Sequence, residues 1–467
     1  MATAPLTARQ QEELHKAIHG YLVSSGFDEA AASFADKSGV TSDATTDDAL
    51  LKKWKSIVRL QKKVLDLEAQ VSELQEAAKN GGGLKKADES DSLPKSAPKF
   101  TLMGHRGAVS QCAFHPSFSY LATASDDASV KLWDYETGKF QRSLNGHTDA
   151  VSAVAFAPSG ALLASAGADL NVKLWDMSSF ECVKTLSGHD HTVSALAFAP
   201  ASDALYTASR DGTIKAWDPA TGYCARTLTG HDGWVRALAL SPSGRILASG
   251  GQDQGVRLWD TTTGECLQTF TDHEHVVECV AFSNAKTDAA IRKAFNLTGA
   301  PASRAAALRE RLAASRAAAA AASAAAAGTA APIAASPAAA EGSSAQASVA
   351  LLAAGSADGG GQFLFTGGRD RTVRVWDLTS LQCVSVITVC ENWVNDVAVH
   401  PSGKYILAAA DDKAVRVLDV TRQFREVKKL ALPAFASSLS WNAAPPMLAV
   451  ALADSTIRVF ECGTGVM

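Results

Sequence analysis

GHDGWVRALALSPSGRILASGGQDQGVRLWD, residues 230–260, opens on Gly-His, runs through two short segments of alternating apolar residues and closes on Trp-Asp. The same frame recurs along the chain. His105, His147, His189, His231 and His273 are each 42 residues apart, and Trp133, Trp175, Trp217 and Trp259 each follow 28 residues after a His. An aspartate (Asp127, Asp169, Asp211 or Asp253) stands 22 residues after each of the first four. Period-2 alternation bounded by turn residues reads as short strands. Repetition at one fixed period means like units sharing one continuous core.

The chain is expected to run further in the same register. Trp376, Leu418 and Phe460 are again 42 apart, and Cys390–Asp412 and Leu432–Asp454 keep the interval of 22. In these last two units, Cys390 and Leu418, then Leu432 and Phe460, replace His and Trp, so they are expected to be the softest. Gly-His and Trp-Asp endpoints at this period resemble WD40 repeats. The resemblance implies a mainly β fold: a seven-bladed propeller over residues 100–467, four strands to a blade. It also implies that His, turn Asp, a strand Ser or Thr and the Trp indole are hydrogen-bonded within a blade. His105, Asp127, Trp133, His147, Asp169, Trp175, His189, Asp211, Trp217, His231, Asp253, Trp259, His273, Asp370 and Trp376 are therefore assigned to structure. A His–Asp pair suggests half of a catalytic dyad, but no enzyme needs five copies at one period. The chain ends seven residues after Phe460, so the segment near Phe100–Thr101 is expected to close the ring as the last blade's outer strand.

In the fifth unit the Trp-Asp arrives 103 residues after His273 instead of 28. The excess, roughly 284–358, is mostly Ala with Ser and Gly and is read as a disordered insert between a blade's first and second strands. That position puts it on the face opposite the His and Asp loops, and the propeller is expected to fold without it.

Composition narrows the function. Charged residues are 20% of the 467 and the formal net charge is −4, so no basic field points to nucleic acid. No secretory signal and no apolar run long enough for a bilayer is seen, so membrane insertion is not expected. Of eight cysteines, Cys182, Cys224, Cys266 and Cys383 recur at one repeat position. Copies a blade apart cannot pair, and they are read as small buried hydrophobes. Neither CxxC nor HExxH occurs; no metal or cofactor is expected, and no enzyme activity.

Upstream, residues 6–38 read as two short helices with Leu14, Ile18 and Leu22 on one face, then Phe27 and Phe34. They resemble the LisH motif, an α-helical dimerisation element. Residues 50–78 carry a heptad with Ile57, Val64 and Val71 at a and Leu60, Leu67 and Leu74 at d, the pattern of a short parallel two-stranded coiled coil. Residues 79–99 read as a flexible linker.

Aligned repeats allow comparison blade by blade. Three residues after the His position stand Ala108, Ala150, Thr192, Trp234, Val276, Trp393 and Phe435; just before the turn Asp come Arg210 and Arg369, and just after it Arg371 and Lys413. With Arg236, these place Arg210, Trp234, Arg236, Arg369, Arg371, Trp393 and Lys413 on one face of blades three to six. Exposed Trp and Arg are enriched at interface hot spots, and an anionic or amphipathic protein surface is the expected partner.

Helices, coiled coil and propeller in that order resemble the lissencephaly-1 (nuclear distribution) family, as do the strings KKWKSIVRLQKKVLDLE, VKLWDYETGKFQRSLNGHTD, FECVKTLSGHDHTVS and DHEHVVEC. The resemblance implies a non-catalytic parallel homodimer whose propeller face binds the cytoplasmic dynein motor domain. Arg210, Arg236, Arg369, Trp393 and Lys413 correspond to the family's motor-contacting positions. The chain departs from the family at Asn395, where the pattern suggests Arg, and at ALPAFASS (431–438), where a His-rich loop is usual. The resemblance further implies dynein-associated adaptor proteins as partners, contact with microtubules through dynein, roles in nuclear migration and mitosis, and placement in the cytoplasm, cytoskeleton, centrosome and, in some members, cilium or flagellum. Alternatives are a generic WD40 scaffold, in ubiquitin ligation or microtubule severing, and a regulatory subunit of a platelet-activating-factor acetylhydrolase.

Overall fold

The computed structural model describes residues 92–297 and 360–464, all within the second of two units of the chain, 87–467. The LisH-like segment 6–38 and the heptads of 50–78, with Leu14, Ile18, Leu22, Phe27, Phe34, Ile57, Leu60, Val64, Leu67, Val71 and Leu74, lie outside the described residues.

Seven antiparallel sheets form a closed propeller. Blade one shows the plan: inner strand Val109–Phe114, then Tyr120–Ser125, Ser129–Asp134 and the outer Lys139–Asn145. Each inner strand packs against the next blade's inner strand, and that of blade seven (Ala436–Asn442) packs against that of blade one. Phe100–Met103 pairs with Thr456–Thr464 and completes blade seven from the chain's other end. Ser92–Pro94 adds a further antiparallel pairing to the same strand, Ser92 opposite Thr464. The linker therefore gives way to strand at residue 92, earlier than its Gly- and Pro-rich composition suggests.

The polar frame inside blades one to five is a chain of hydrogen bonds with one consistent direction. Trp133 donates from Nε1 to Thr123 Oγ1 at 3.0 Å, and that hydroxyl lies 2.7 Å from His105 Nε2, while Nδ1 lies 2.9 Å from Asp127. A proton on Nδ1 faces the carboxylate, so Nε2 accepts from the hydroxyl and the hydroxyl accepts from the indole. The network assigns this tautomer. Blades two to five repeat it through Ser165, Thr207, Ser249 and Thr366, with His–Asp separations of 2.7–2.8 Å. Every buried donor has an acceptor, and each bond is worth roughly 0.5–1.5 kcal/mol net.

Blades six and seven lose these groups together. Where the others have His, hydroxyl and Trp, they have Cys390, Ala408 and Leu418, then Leu432, Val450 and Phe460, all buried. Replacing donor and acceptor at once leaves nothing orphaned. In blade six, Asp412 pairs instead with the buried Arg416, which also faces Glu391 at 3.3 Å and Glu426 at 3.2 Å.

The insert is not uniformly unstructured. Residues 285–295 form a helix, α1 (Ala285–Phe295), between the first and second strands of blade five. Asn284 caps it, accepting from Thr287 N at 2.8 Å, and Arg292 and Lys293 sit in its last turn, where cations suit the helix dipole. Ile291, Phe295 and Leu297 join the core beneath blades five and six, and Phe295 lies 5.7 Å from Phe424. Gly403 (φ +76°) is needed where α1 lands, since a Cβ there would meet Lys286 backbone at 2.5 Å. The insert read as disordered over 284–358 thus begins with a packed helix; 298–359 lie outside the described residues.

The cysteine reading is corrected as well. All four sit on outer strands; Cys383 is covered there, but Cys182, Cys224 and Cys266 are exposed.

Two outcomes follow from this packing. Ile291→Ala should cost about 2–5 kcal/mol, as a buried large-to-small change does. An unchanged denaturation midpoint would show that α1 does not pack. The second concerns acid. Burial pushes the His105, His147 and His189 rings below 6.5, more than their carboxylate partners raise them. Burial pushes the Asp211 carboxyl up too, but hydrogen bonds from Thr213 and His189 outweigh it and hold the group at about 2; Asp370 is held at about 2 by His273 and Thr372. The unfolded chain takes up protons below 6.5 at these His, and between 3.8 and 2 at these Asp, that the folded chain refuses. Asp288 and Asp396, raised by burial, oppose this. The melting temperature should fall as pH drops from 7.5 to 5, and a flat profile would contradict the assignment.

Candidate functional site

The site follows from an irregularity shared by all seven inner strands. Pairing between the first and second strand shifts register at one place in each blade, between Val109 and Gln111 in blade one and between Val277 and Cys279 in blade five. A bulge leaves its extra residue unpaired and re-aims the side chain. The seven residues are Ser110, Ser152, Ser194, Arg236, Glu278, Asn395 and Ser437, and all line one channel-mouth cavity of about 350 Å³. Five of them hold the next blade. Ser110, Ser194 and Ser437 donate to the carbonyls of Val151, Val235 and Val109 at 2.5–2.6 Å, Asn395 donates to Ala436 at 2.8 Å, and Ser152 donates to Val193.

Arg236 and Glu278 depart from that rule and bind each other. Arg236 Nη1 is 3.3 Å from Glu278 Oε2, and Arg369 Nε donates to Glu278 Oε1 at 2.6 Å. Arg210 enters the same cavity. Two guanidinium groups thus hold one carboxylate, and a third lines the same cavity. Burial lowers the Arg236 pKa, Glu278 offsets this, and the charges of Arg369 and Arg210 add to the lowering.

Outside the channel mouth, cations lie over aromatic rings across blade seams. Arg210 of blade three stands 4.9 Å from the Trp234 ring of blade four, Arg369 of blade five 4.4 Å from Trp393 of blade six, and Lys413 of blade six 5.6 Å from Phe435 of blade seven. Arg236 is a second cation at Trp234, 5.5 Å away. Arg371 is exposed in the turn after Asp370, with φ of +62°.

The structure thus gathers Arg210, Trp234, Arg236 and Arg369 around the channel mouth, with Trp393 and Lys413 of blade six beside them; Arg371 shares none of these contacts and stands apart. Trp234 is half-buried between its two arginines, rather than exposed as expected, whereas Trp393 is 41% exposed. Arg236 and Arg369 are held by Glu278, not by the neighbouring loop aspartates. Glu278 and Phe435 (45% exposed) are part of the site and were missed among the candidate residues. Comparing the bulge position across all seven blades reveals Glu278.

Among the described residues, no group of three or more His, Cys, Asp or Glu could hold a metal, and no helix is long and apolar enough to cross a membrane. The face offers charge-assisted hydrogen bonds and exposed aromatic area, which suit a protein surface.

Comparison with known proteins agrees with this architecture. The WD40 family (WD domain, G-beta repeat) matches residues 96–134, 138–176, 180–218, 222–260, 344–377 and 381–419. The PAC1 LisH domain matches residues 8–43. A lissencephaly-1 homolog of Dictyostelium discoideum is 43% identical over 142 residues, 30% of this chain and 34% of that protein. One of Heterostelium pallidum is 43% identical over 140 residues, with the same shares. The chain belongs to the lissencephaly-1 family of LisH–WD40 proteins. The aligned stretch spans about a third of each lissencephaly-1 relative. Blade seven, built on Phe460 rather than Trp, lies beyond the last matched repeat.

The two kinds of tryptophan should separate experimentally. Trp376→Ala, at a buried indole, should cost about 3–5 kcal/mol, whereas Trp393→Ala should cost less than about 1 kcal/mol. Equal losses in chemical denaturation would show that Trp393 is a core residue.

Proposed function

We propose that this protein is a non-catalytic regulator of cytoplasmic dynein, a parallel homodimer whose loop-entry face binds the dynein motor domain. The observation that carries the reading is the set of inter-blade cation–aromatic pairs Arg210–Trp234, Arg369–Trp393 and Lys413–Phe435. Of these six residues, Arg210, Arg369, Trp393 and Lys413 stand at the positions that family resemblance assigns to the motor contact. Arginines part-buried beside aromatic rings are preorganised donors for acidic side chains, and Trp393 supplies the apolar anchor around which such contacts are dry.

The five His–Asp pairs do not compete with this reading. Each is committed on both ring nitrogens within its own blade, which leaves no free base for turnover. On this reading residues 8–43 bring two propellers together, and two linked faces raise avidity by roughly 10²–10⁴ when both can reach a target. The protein then acts in the cytoplasm on the cytoskeleton, with dynein-associated adaptors as further partners and microtubules reached through dynein. Minus-end transport, nuclear migration and spindle work follow.

A pull-down of dynein motor domain with the full chain tests this. Wild type should retain the motor, Trp393→Ala should weaken retention about tenfold or more, a hot-spot-sized effect, and Arg210→Ala with Arg369→Ala should abolish it. Undiminished retention by the double variant would instead favour a scaffold acting through another surface.

A further inference from the structure

Arg210, Trp234, Arg236, Glu278 and Arg369 meet at the channel mouth between blades three and five, and Glu278 has the wrong charge for the partner proposed above. Glu278 lies 2.6 Å from Arg369 Nε and 3.3 Å from Arg236 Nη1, and its side chain is 14% exposed, against 22% for Arg236 and 25% for Arg369. It occupies the guanidinium edges that an incoming carboxylate would need. No fold requirement explains it: the equivalent bulge residue in four other blades is serine, which holds the next inner strand through that blade's carbonyl. At blade five this link is replaced by a carboxylate reaching sideways to two arginines. The Nε–H groups of Arg210 and Arg236 are buried without a hydrogen-bond acceptor among the described residues, so donor capacity at the mouth exceeds what Glu278 can take up.

We propose that Glu278 is an internal competitor that sets the affinity and specificity of this face: it holds Arg236 and Arg369 as a pseudo-ligand, and a partner's acidic side chain binds by displacing it or by sharing the arginines with it. The proposal rests on the motor-binding reading of the face, and adds to it the chemistry of the contact and the residue that limits it. Two consequences follow from charge alone. A weakly acidic surface cannot outbid a carboxylate already in place, so the competitor filters out chance partners. Removing it leaves Arg236 and Arg369 without this counter-charge beside Arg210, so attraction to acidic groups rises and becomes more dependent on salt.

Two variants of the full-length chain keep the test independent of folding. Glu278→Gln preserves shape and removes the charge; Glu278→Ser installs the residue that blades one, two, three and seven carry at this position. Binding is measured by titration against dynein motor domain and, separately, against a hexaglutamate peptide, at low and at physiological salt, with Arg236→Ala as the control. Both Glu278 variants should bind the motor domain about three- to fivefold more tightly than wild type, the size of one partly exposed charge pair. They should also bind the peptide detectably at low salt, where wild type binds it less. If Arg236→Ala leaves motor binding unchanged, the motor-binding reading fails and the peptide titration still decides the role of Glu278. If Arg236→Ala weakens motor binding while both Glu278 variants bind no more tightly than wild type, the reading stands and the competitor role is overturned. Peptide binding no stronger in either variant than in wild type overturns it as well.

Discussion

A buried indole N–H has to be given an acceptor, and in five of the seven blades that need organises everything else. Trp Nε1 donates to a Ser or Thr hydroxyl, the hydroxyl to His Nε2, and His Nδ1 to the turn Asp, so four side chains from separate points in a 42-residue repeat are drawn together. The chain of bonds fixes the loop carrying the His against the turn carrying the Asp. Residues flanking these two anchors are then held in register on one face, and this is where Arg210, Trp234 and Arg369 stand; Trp393 occupies the equivalent place in blade six, which lacks the chain of bonds. Partial loss would leave a buried group unpaired. Blades six and seven escape that penalty because all three partners changed to apolar residues, with Arg416 taking over Asp412 in blade six.

The second constraint is the bulge at the start of every inner strand. It turns one side chain per blade into the channel mouth, where hydroxyl and amide groups link five blades to their neighbours. Blades four and five use the same position for Arg236 and Glu278. Their ion pair serves the face rather than the ring, and it stands beside the three cation–aromatic seams. One repeat position therefore supplies inter-blade links in five blades and an ion pair in the other two, separated only by which residue occupies it.

Much of this was legible in the chain itself. The 42-residue period, with its His, Asp and Trp at constant offsets, contained the blade count, the closure by Phe100 and the four-membered polar frame, because each depends on residues that recur. What escaped is what does not recur. Helix α1 begins inside a segment defined only by subtraction, and its few signals (the Asn284 cap, Ile291 and Phe295) are diluted by the alanines that follow. The exposure of Cys182, Cys224 and Cys266 depends on the outer strand facing solvent, whereas the equivalent Cys383 is covered. Glu278 carries no signal of its own in the sequence, because a lone carboxylate gains meaning only from its distance to two arginines.

The central claim, that the loop-entry face is the binding surface, is tested most directly by side-chain footprinting with hydroxyl radicals on the full-length protein, with and without dynein motor domain. Phe118 and Tyr223 are exposed at 49% and 78% and lie in turns at the other end of the strands from the His and Asp loops, so they serve as internal references. Binding should protect Trp393 and Phe435 and leave the two references unchanged. Protection of Phe118 or Tyr223 with Trp393 still reactive would contradict the account.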